Sequence, residues 1–293
     1  MSRWVLIFNA SAGGSGDEVD EAVRSTLAAQ VNVDVVRPSD MDSFDDEVKA
    51  AARAADVVIA AGGDGTLNCV LNALGDTLAE VTLGLVPMGT GNDFARTLGL
   101  PDDPLEAAHA LLGAEERALD LARATGAGAD RLFVNACMGG FPVQANEAID
   151  EDTKKRFGPL AFWLGGAKAL TELSRAAVTV NGRQIDDCVA VGVGNGRSCG
   201  GGLEVWPSAR PDDGVLDACV FSASGIPQAL VLAGKLKSGG HEGLDDVVTM
   251  RDATIEVEAE PAVEFNVDGE LPGLKSPVTF EIVGEVGFLV PPQ

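Results

Sequence analysis

The sequence predicts an α/β N-terminal domain on a doubly wound, mostly parallel sheet, followed by a C-terminal antiparallel β-sandwich. Two observations carry this. Up to residue 124, short apolar runs alternate with stretches of helical period, the rhythm of a parallel sheet with crossover helices. Beyond it, short β-like runs are separated by turn sequences such as NGR, PDDG, VDGE and LPG, the texture of an antiparallel β domain.

In chain order, strands are expected at Trp4–Phe8, Val31–Val36, Asp56–Ala61 and Val81–Val86. Helices are expected at Asp17–Ala29, Phe44–Ala54, Gly65–Leu74, Asn92–Leu98 and Pro104–Leu112. Each apolar run is short and bounded by Gly, Pro or Asp, as buried parallel strands are. Ala124–Asp130 (ATGAGAD) reads as a flexible link, which sets domains at 1–124 and 125–284. A helix is expected over Pro159–Arg175, then strands at Ala177–Val180, Cys188–Val193, Val215–Phe221, Ala253–Glu258, Val263–Val267 and Val278–Val283. The last residues, 285–293, hold one more short run, Gly287–Val290, and form a segment that could return to the first domain.

Composition narrows the function. The 293 residues carry 45 acidic against 21 basic side chains, a formal charge of −24. A polyanion without a basic run repels phosphate backbones, so nucleic acid is excluded as a partner. Uncharged runs, Leu132 to Asn146 among them, fall short of the about 20 apolar residues of a membrane span. The apolar run Trp4–Phe8 is too short for a signal-peptide core, and the chain reads as soluble and cytoplasmic. Two histidines, His109 and His241, leave little for a His-rich metal site. Five cysteines without C-x-x-C spacing read as reduced thiols.

Two loops carry chemistry. AAGGDGTLN, Ala60–Asn68, follows one expected strand and opens a helix; its glycines allow a tight turn and close approach of a ligand, and the helix start favours an anion. Asp64 beside such an anion makes sense if Mg²⁺ lies between them or if it polarises a reacting hydroxyl; the plain alternative is that it N-caps the helix. PMGTGNDFAR, Pro87–Arg96, does the same after the next strand, with Gly89, Thr90 and Gly91 in the turn and Asn92 and Asp93 at the helix start. Arg96, one turn in, could meet a phosphate or pair with Asp93. Both loops end at the carboxyl edge of one sheet, where α/β folds bind ligands. Neither loop matches G-x-x-x-x-G-K-[ST], and G-x-G-x-x-G is absent from the first turn, which disfavours a P-loop NTPase or a Rossmann dehydrogenase.

GGDGTLN followed by PMGTGNDFAR resembles the diacylglycerol kinase catalytic family, which includes bacterial lipid kinases and sphingosine and ceramide kinases. Asn9-Ala10-Ser11-Ala12-Gly13, the stretch Gly194–Asp217 and NVDGE (Asn266–Glu270) resemble further motifs of the family, in the same order. The resemblance implies a nucleotide domain and a β-sandwich with the active site in the cleft between them. It implies an ATP- and Mg²⁺-dependent kinase that phosphorylates a hydroxyl of diacylglycerol or a related lipid at a membrane surface, peripheral to it; a homodimer is compatible with it. Asn9, Gly62, Gly63, Gly65, Thr66, Gly89, Thr90, Asn92 and Asp93 would line the ATP site. Asp64, Asp268 and Glu270 would be catalytic, with Glu270 as the base. Asp213, with the carbonyls of Arg210 and Val215, would hold a structural Mg²⁺. The plain alternatives are an Asp-Gly hairpin at 210–217 and a turn at 268–270.

Two departures from the family keep other readings open. Ala10 stands where the family has Pro, and Gly14 where some bacterial members carry Lys, a charge that Arg96, Lys154 or Lys155 could replace. The charge of −24 opposes docking on an anionic leaflet. Lys154–Leu170 (KKRFGPLAFWLGGAKAL) joins cations to Phe157, Phe162 and Trp163 as an interfacial anchor would, or is a buried amphipathic helix. The alternatives are an NAD kinase-like phosphotransferase, which shares a G-G-D-G loop, and a catalytically impaired lipid- or nucleotide-binding regulator.

Overall fold

The computed structural model describes residues 2–9, 17–38, 40–140, 175–223, 231–232 and 234–292. The helix expected at Pro159–Arg175 and the anchor expected at Lys154–Leu170 lie outside these residues, as do Ala10 and Gly14. The chain forms two compact units, Met1–Leu121 with Gly284–Gln293, and Ala122–Val283.

The first unit holds strands β1 (Arg3–Phe8), β2 (Asn32–Val36), β3 (Val57–Gly62) and β4 (Thr82–Pro87). All pair in parallel, in the order β2-β1-β3-β4. β3 and β4 are buried along their whole length, which is why they read as unbroken apolar runs. Helices α1 (Asp17–Ala28) and α2 (Met41–Ala52) follow β1 and β2. α2 starts three residues before the expected Phe44 because Asp40 caps it, accepting the Ser43 N–H at 2.9 Å. α3 (Asp64–Leu74), a 3-10 turn over Gly75–Glu80, α4 (Asp93–Leu98) and α5 (Pro104–Leu112) complete the set. The chain leaves β1 for β2 on one side and returns to β3 on the other. The carboxyl ends of β1 and β3 therefore flank a topological switch point, and the two Gly-rich loops leave β3 and β4 at that edge.

The second unit is an antiparallel sheet closed around an apolar core. β5 (Glu115–Ala127) and β6 (Ala129–Phe133) form a hairpin turning at Gly128, which has φ +94°. The stretch expected to be a flexible link is thus paired sheet. Its small residues are there for packing: a Cβ on Gly126 would stand 2.8 Å from the Pro277 carbonyl oxygen, while Ala122 and Ala124 are fully buried.

Strands β7 (Ala136–Gly140), β8 (Ala176–Val180), β9 (Arg183–Gly194), β10 (Leu216–Ser222), β11 (Val247–Asp252), β12 (Thr254–Glu260), β13 (Glu264–Val267) and β14 (Glu270–Val290) follow. β9 pairs with β8 through its first half and with β7 and β10 through its second. β14 pairs first with β13, then with β12, and β12 pairs with β8. Two long strands thus serve both layers, as corner strands of packed sheets do. Phe133, Val178, Val191, Val220, Ile255, Phe265 and Phe280 fill the space between. The LPG sequence, expected as a turn, lies inside β14 with Gly273 at φ +79°, an irregularity the strand runs through. The runs expected at 278–283 and 287–290 are parts of the same strand, and Phe288 near its end pairs in parallel with Leu83 of β4. No helix among the described residues is long and apolar enough to cross a membrane.

Candidate functional site

In the first unit the two Gly-rich loops lie back to back. A Cβ on Gly89 would stand 2.5 Å from the Gly63 Cα, so only glycine lets these backbones meet. The Met88 N–H donates to the Gly62 carbonyl at 3.0 Å and carries the β3–β4 pairing into the loops. Gly62 is equally constrained, since a Cβ there would meet the Thr66 side chain of α3.

Asn92 fixes the second loop. It holds a left-handed conformation, φ 51°, which asparagine tolerates better than most residues. Its Oδ1 accepts the Gly89 N–H at 3.0 Å and its Nδ2 donates to the Gly89 carbonyl at 2.9 Å. The loop is thereby closed on itself, leaving Gly89 and Thr90 at the surface.

Asp64 does not cap its own helix; Gly63 holds that position without a side chain. Its carboxylate reaches the other loop and accepts the N–H groups of Asp93 at 3.0 Å and Phe94 at 2.9 Å, in the first turn of α4, where helix geometry supplies no acceptor. Burial, then the Asp93 charge, push the Asp64 carboxyl above the usual range, while these amides oppose the rise. Asp93 is buried and pairs with Arg96 at 3.1 Å; Arg96 also donates to the Gly91 carbonyl at 3.2 Å. Arg96 thus takes the pairing role rather than standing free for a phosphate.

The expected nucleotide residues fall into two groups. Gly63, Asp64, Gly65, Gly89 and Thr90 are at least partly exposed. Gly62, Thr66, Asn92 and Asp93 are buried and support them. Asn9 is half-buried and follows Phe8, which pairs with Ala61, so it stands beside Gly62 at the carboxyl edge.

In the second unit Asp268 and Gly269 turn the β13–β14 hairpin with φ 46° and 95°, the positive pair that a two-residue I′ turn requires. The turn also holds a buried charge. Asp268 Oδ2 accepts the Val134 N–H at 3.0 Å, and Oδ1 accepts those of Asn135 at 3.2 Å and Ala136 at 2.7 Å. Three charge-assisted bonds at 3% exposure make Asp268 an anchor. Glu270, two residues on, is exposed at the start of β14.

Asn135 and Asn195 were not singled out from sequence. Asn135 Nδ2 donates to the Ser198 carbonyl at 3.1 Å, Asn195 Nδ2 to that of Val134 at 2.8 Å, and the Asn195 N–H to that of Asn135 at 2.7 Å. They tie the GNGRS loop to the segment that Asp268 holds. Neither FVNA nor a lone Asn in a Gly-rich run announces this; the link appears only when β7, β9 and β13 lie side by side.

The expected Mg²⁺ ligand Asp213 is engaged elsewhere. Its Oδ2 accepts from Arg251 at 2.7 Å, and Oδ1 turns back toward the Val215 N–H at 3.4 Å. Arg251 Nε also meets Asp217 Oδ1 at 2.9 Å. A cation already stands on this carboxylate, so the donor set does not fit a resident Mg²⁺. Among the described residues no three or more His, Cys, Asp or Glu side chains gather as a metal cluster.

Residues 3–124 match the family model described as diacylglycerol kinase catalytic domain, and residues 135–287 match that of the YegS C-terminal NAD kinase beta sandwich-like domain. A protein of Stenotrophomonas maltophilia (strain K279a) named "Probable lipid kinase YegS-like" is 36% identical over 92% of this chain and 89% of its own. One of the same name from Pseudomonas aeruginosa (strain UCBPP-PA14) is 36% identical over 86% of this chain and 83% of its own. A crystal structure of a diacylglycerol kinase from Bacillus anthracis str. Sterne superposes with a TM-score of 0.78 at 28% identity, covering 99% of this chain and 98% of that one.

Proposed function

The chain belongs to the diacylglycerol kinase catalytic family, and we propose that it transfers the γ-phosphoryl group of MgATP to a hydroxyl of a lipid, diacylglycerol or a relative. The observation that carries this reading is the pair of loops fused at Gly63 and Gly89. They present exposed backbone at the carboxyl edge of a parallel sheet, with a carboxylate between them. The strand order β2-β1-β3-β4 supports a doubly wound sheet, the frame in which that edge binds ligands.

Phosphoryl transfer asks a protein for position and charge neutralisation more than for covalent chemistry. Gly63, Gly65, Gly89 and Thr90 cradle the phosphates of the substrate MgATP, and Asn9 borders them. Asp64 faces the magnesium that arrives with the nucleotide; Asn92, Asp93 and Arg96 hold its loop. Glu270, exposed at the start of β14, would be the base for the lipid hydroxyl, whose oxygen bonds to the γ-phosphorus as the bond to ADP breaks. Asp268 positions the turn before it.

The test is transfer of labelled phosphate from ATP to a panel of lipids in vesicles across salt concentrations. Diacylglycerol or a related hydroxyl lipid should be labelled, and Glu270→Gln should slow the labelling by about 10²–10⁴. With a body charge of −24, activity on anionic vesicles should rise with moderate salt as screening shortens repulsion to about 8 Å. The match of residues 135–287 to an NAD kinase-like sandwich favours one second reading, phosphorylation of NAD. Formation of NADP⁺ in a coupled assay, with no lipid labelled, would replace the first.

A further inference from the structure

We propose that Arg251 replaces the divalent cation that the family resemblance assigns to the 210–215 turn, so that this turn is built without a resident metal. Arg251 of β11 lies directly opposite Asp217 of β10. Side chains facing each other across antiparallel strands are held close, so pairing of the strands brings the guanidinium to Asp217. Its Nε bonds Asp217 Oδ1 at 2.9 Å. The other side of the planar fork reaches Asp213 Oδ2 at 2.7 Å. One rigid group thereby joins the turn to two strands, in the geometry that suits arginine and not lysine.

The same group disfavours a metal. Asp213 Oδ2 is taken, and Oδ1 accepts the Val215 N–H at 3.4 Å. A divalent ion on this carboxylate would stand beside a guanidinium that never loses its proton, and like charges at such range repel strongly. Asp213 and Asp217 bring two carboxylates, and Arg251 sets one positive charge against both from within the chain. The turn bends at Gly214, φ +74°, and needs no ion to reverse direction. Arg210, whose carbonyl would be a ligand, meanwhile pairs its side chain with Asp212 at 3.2 Å. All these groups lie in the second unit, and the inference is independent of the phosphoryl acceptor.

Thermal unfolding of the full chain tests it, with Mg²⁺ or EDTA at constant ionic strength and without nucleotide. An acidic protein binds Mg²⁺ diffusely, so the comparison is between variants. Wild type and Asp213→Asn should show the same Mg²⁺ response. Arg251→Met, which frees two carboxylates, should gain a saturable rise in Tm of several degrees, and Arg251→Met with Asp213→Asn should lose it. A saturable rise in wild type that Asp213→Asn abolishes overturns the proposal. So does an Arg251→Met protein that folds and gains no response. If Arg251→Met does not fold, wild type against Asp213→Asn decides alone.

Discussion

The Asp64 carboxylate accepts the Phe94 N–H at 2.9 Å, so the acid of the first Gly-rich loop caps the helix that follows the second. A residue that reads as catalytic is therefore also a strut. Its two bonds hold the start of α4 against α3, and burial raises the pKa of the same carboxyl.

Substitutions at Asp64 separate these roles. Asp64→Ala should cost about 0.5–2 kcal/mol in stability, the usual price of an uncapped helix start. Asp64→Asn keeps one of the two acceptors and should cost less than Asp64→Ala, while lowering kcat about 10²–10³-fold if the carboxylate holds the magnesium of MgATP. Urea denaturation and single-turnover phosphorylation measure the two. Full activity in Asp64→Asn would leave Asp64 with the helix alone.

Gly89→Ala tests the fusion of the loops. Its Cβ would press on the Gly63 Cα at 2.5 Å, backbone against backbone. Neither loop can yield without breaking the Asn92 clamp or the Met88–Gly62 bond. The variant should lose about 1–3 kcal/mol as an overpacked site does, and calorimetry should show ATP affinity falling with it. A Gly99→Ala control meets nothing within 4 Å. Its φ of +75° makes that variant strained as well, but ATP affinity should survive.

These loops were legible because each pairs a short apolar run with glycines at a helix start, a pattern local to ten residues. Asp64 stood out in the sequence as a candidate, but not as a cap for a helix 29 positions on. The second unit was less legible. Its strands and its Asp-Gly turn were readable, yet ATGAGAD looked like a link because Gly and Ala serve close packing and flexibility alike. The engagement of Asp213 by Arg251 depends on the β10–β11 register, which no local sequence feature records.

Asp268 and Glu270 should separate in the same way as anchor and base. Asp268→Asn turns an NH₂ toward backbone donors and should cost about 1–3 kcal/mol for the bonds left unmade. It should lower kcat with KM for ATP unchanged. Glu270→Gln, at an exposed position, should stay within about 0.5 kcal/mol of wild type while losing about 10²–10⁴ in kcat. Equal stability losses in both variants would make Glu270 a second anchor instead.

His241 gives the second unit an acid-sensitive point. It is fully buried, Nε2 lies 2.9 Å from the Val205 carbonyl, and Nδ1 has no partner among the described residues. A carbonyl only accepts, so Nε2 carries the hydrogen and Nδ1 is a bare lone pair. Protonating it would place a charge in the layer that contains Phe221, and burial holds its pKa below the ordinary 6.5. The sign follows from linkage. The unfolded chain takes up this proton near about pH 6.5 and the folded chain resists it, so the contribution of the neutral ring is present above that pH and lost as pH falls through and below it. The difference in urea midpoint between wild type and His241→Gln should therefore shift against wild type from about pH 8 to about pH 5. A difference that stays flat, or shifts toward wild type in acid, would show that the folded protein accommodates the imidazolium.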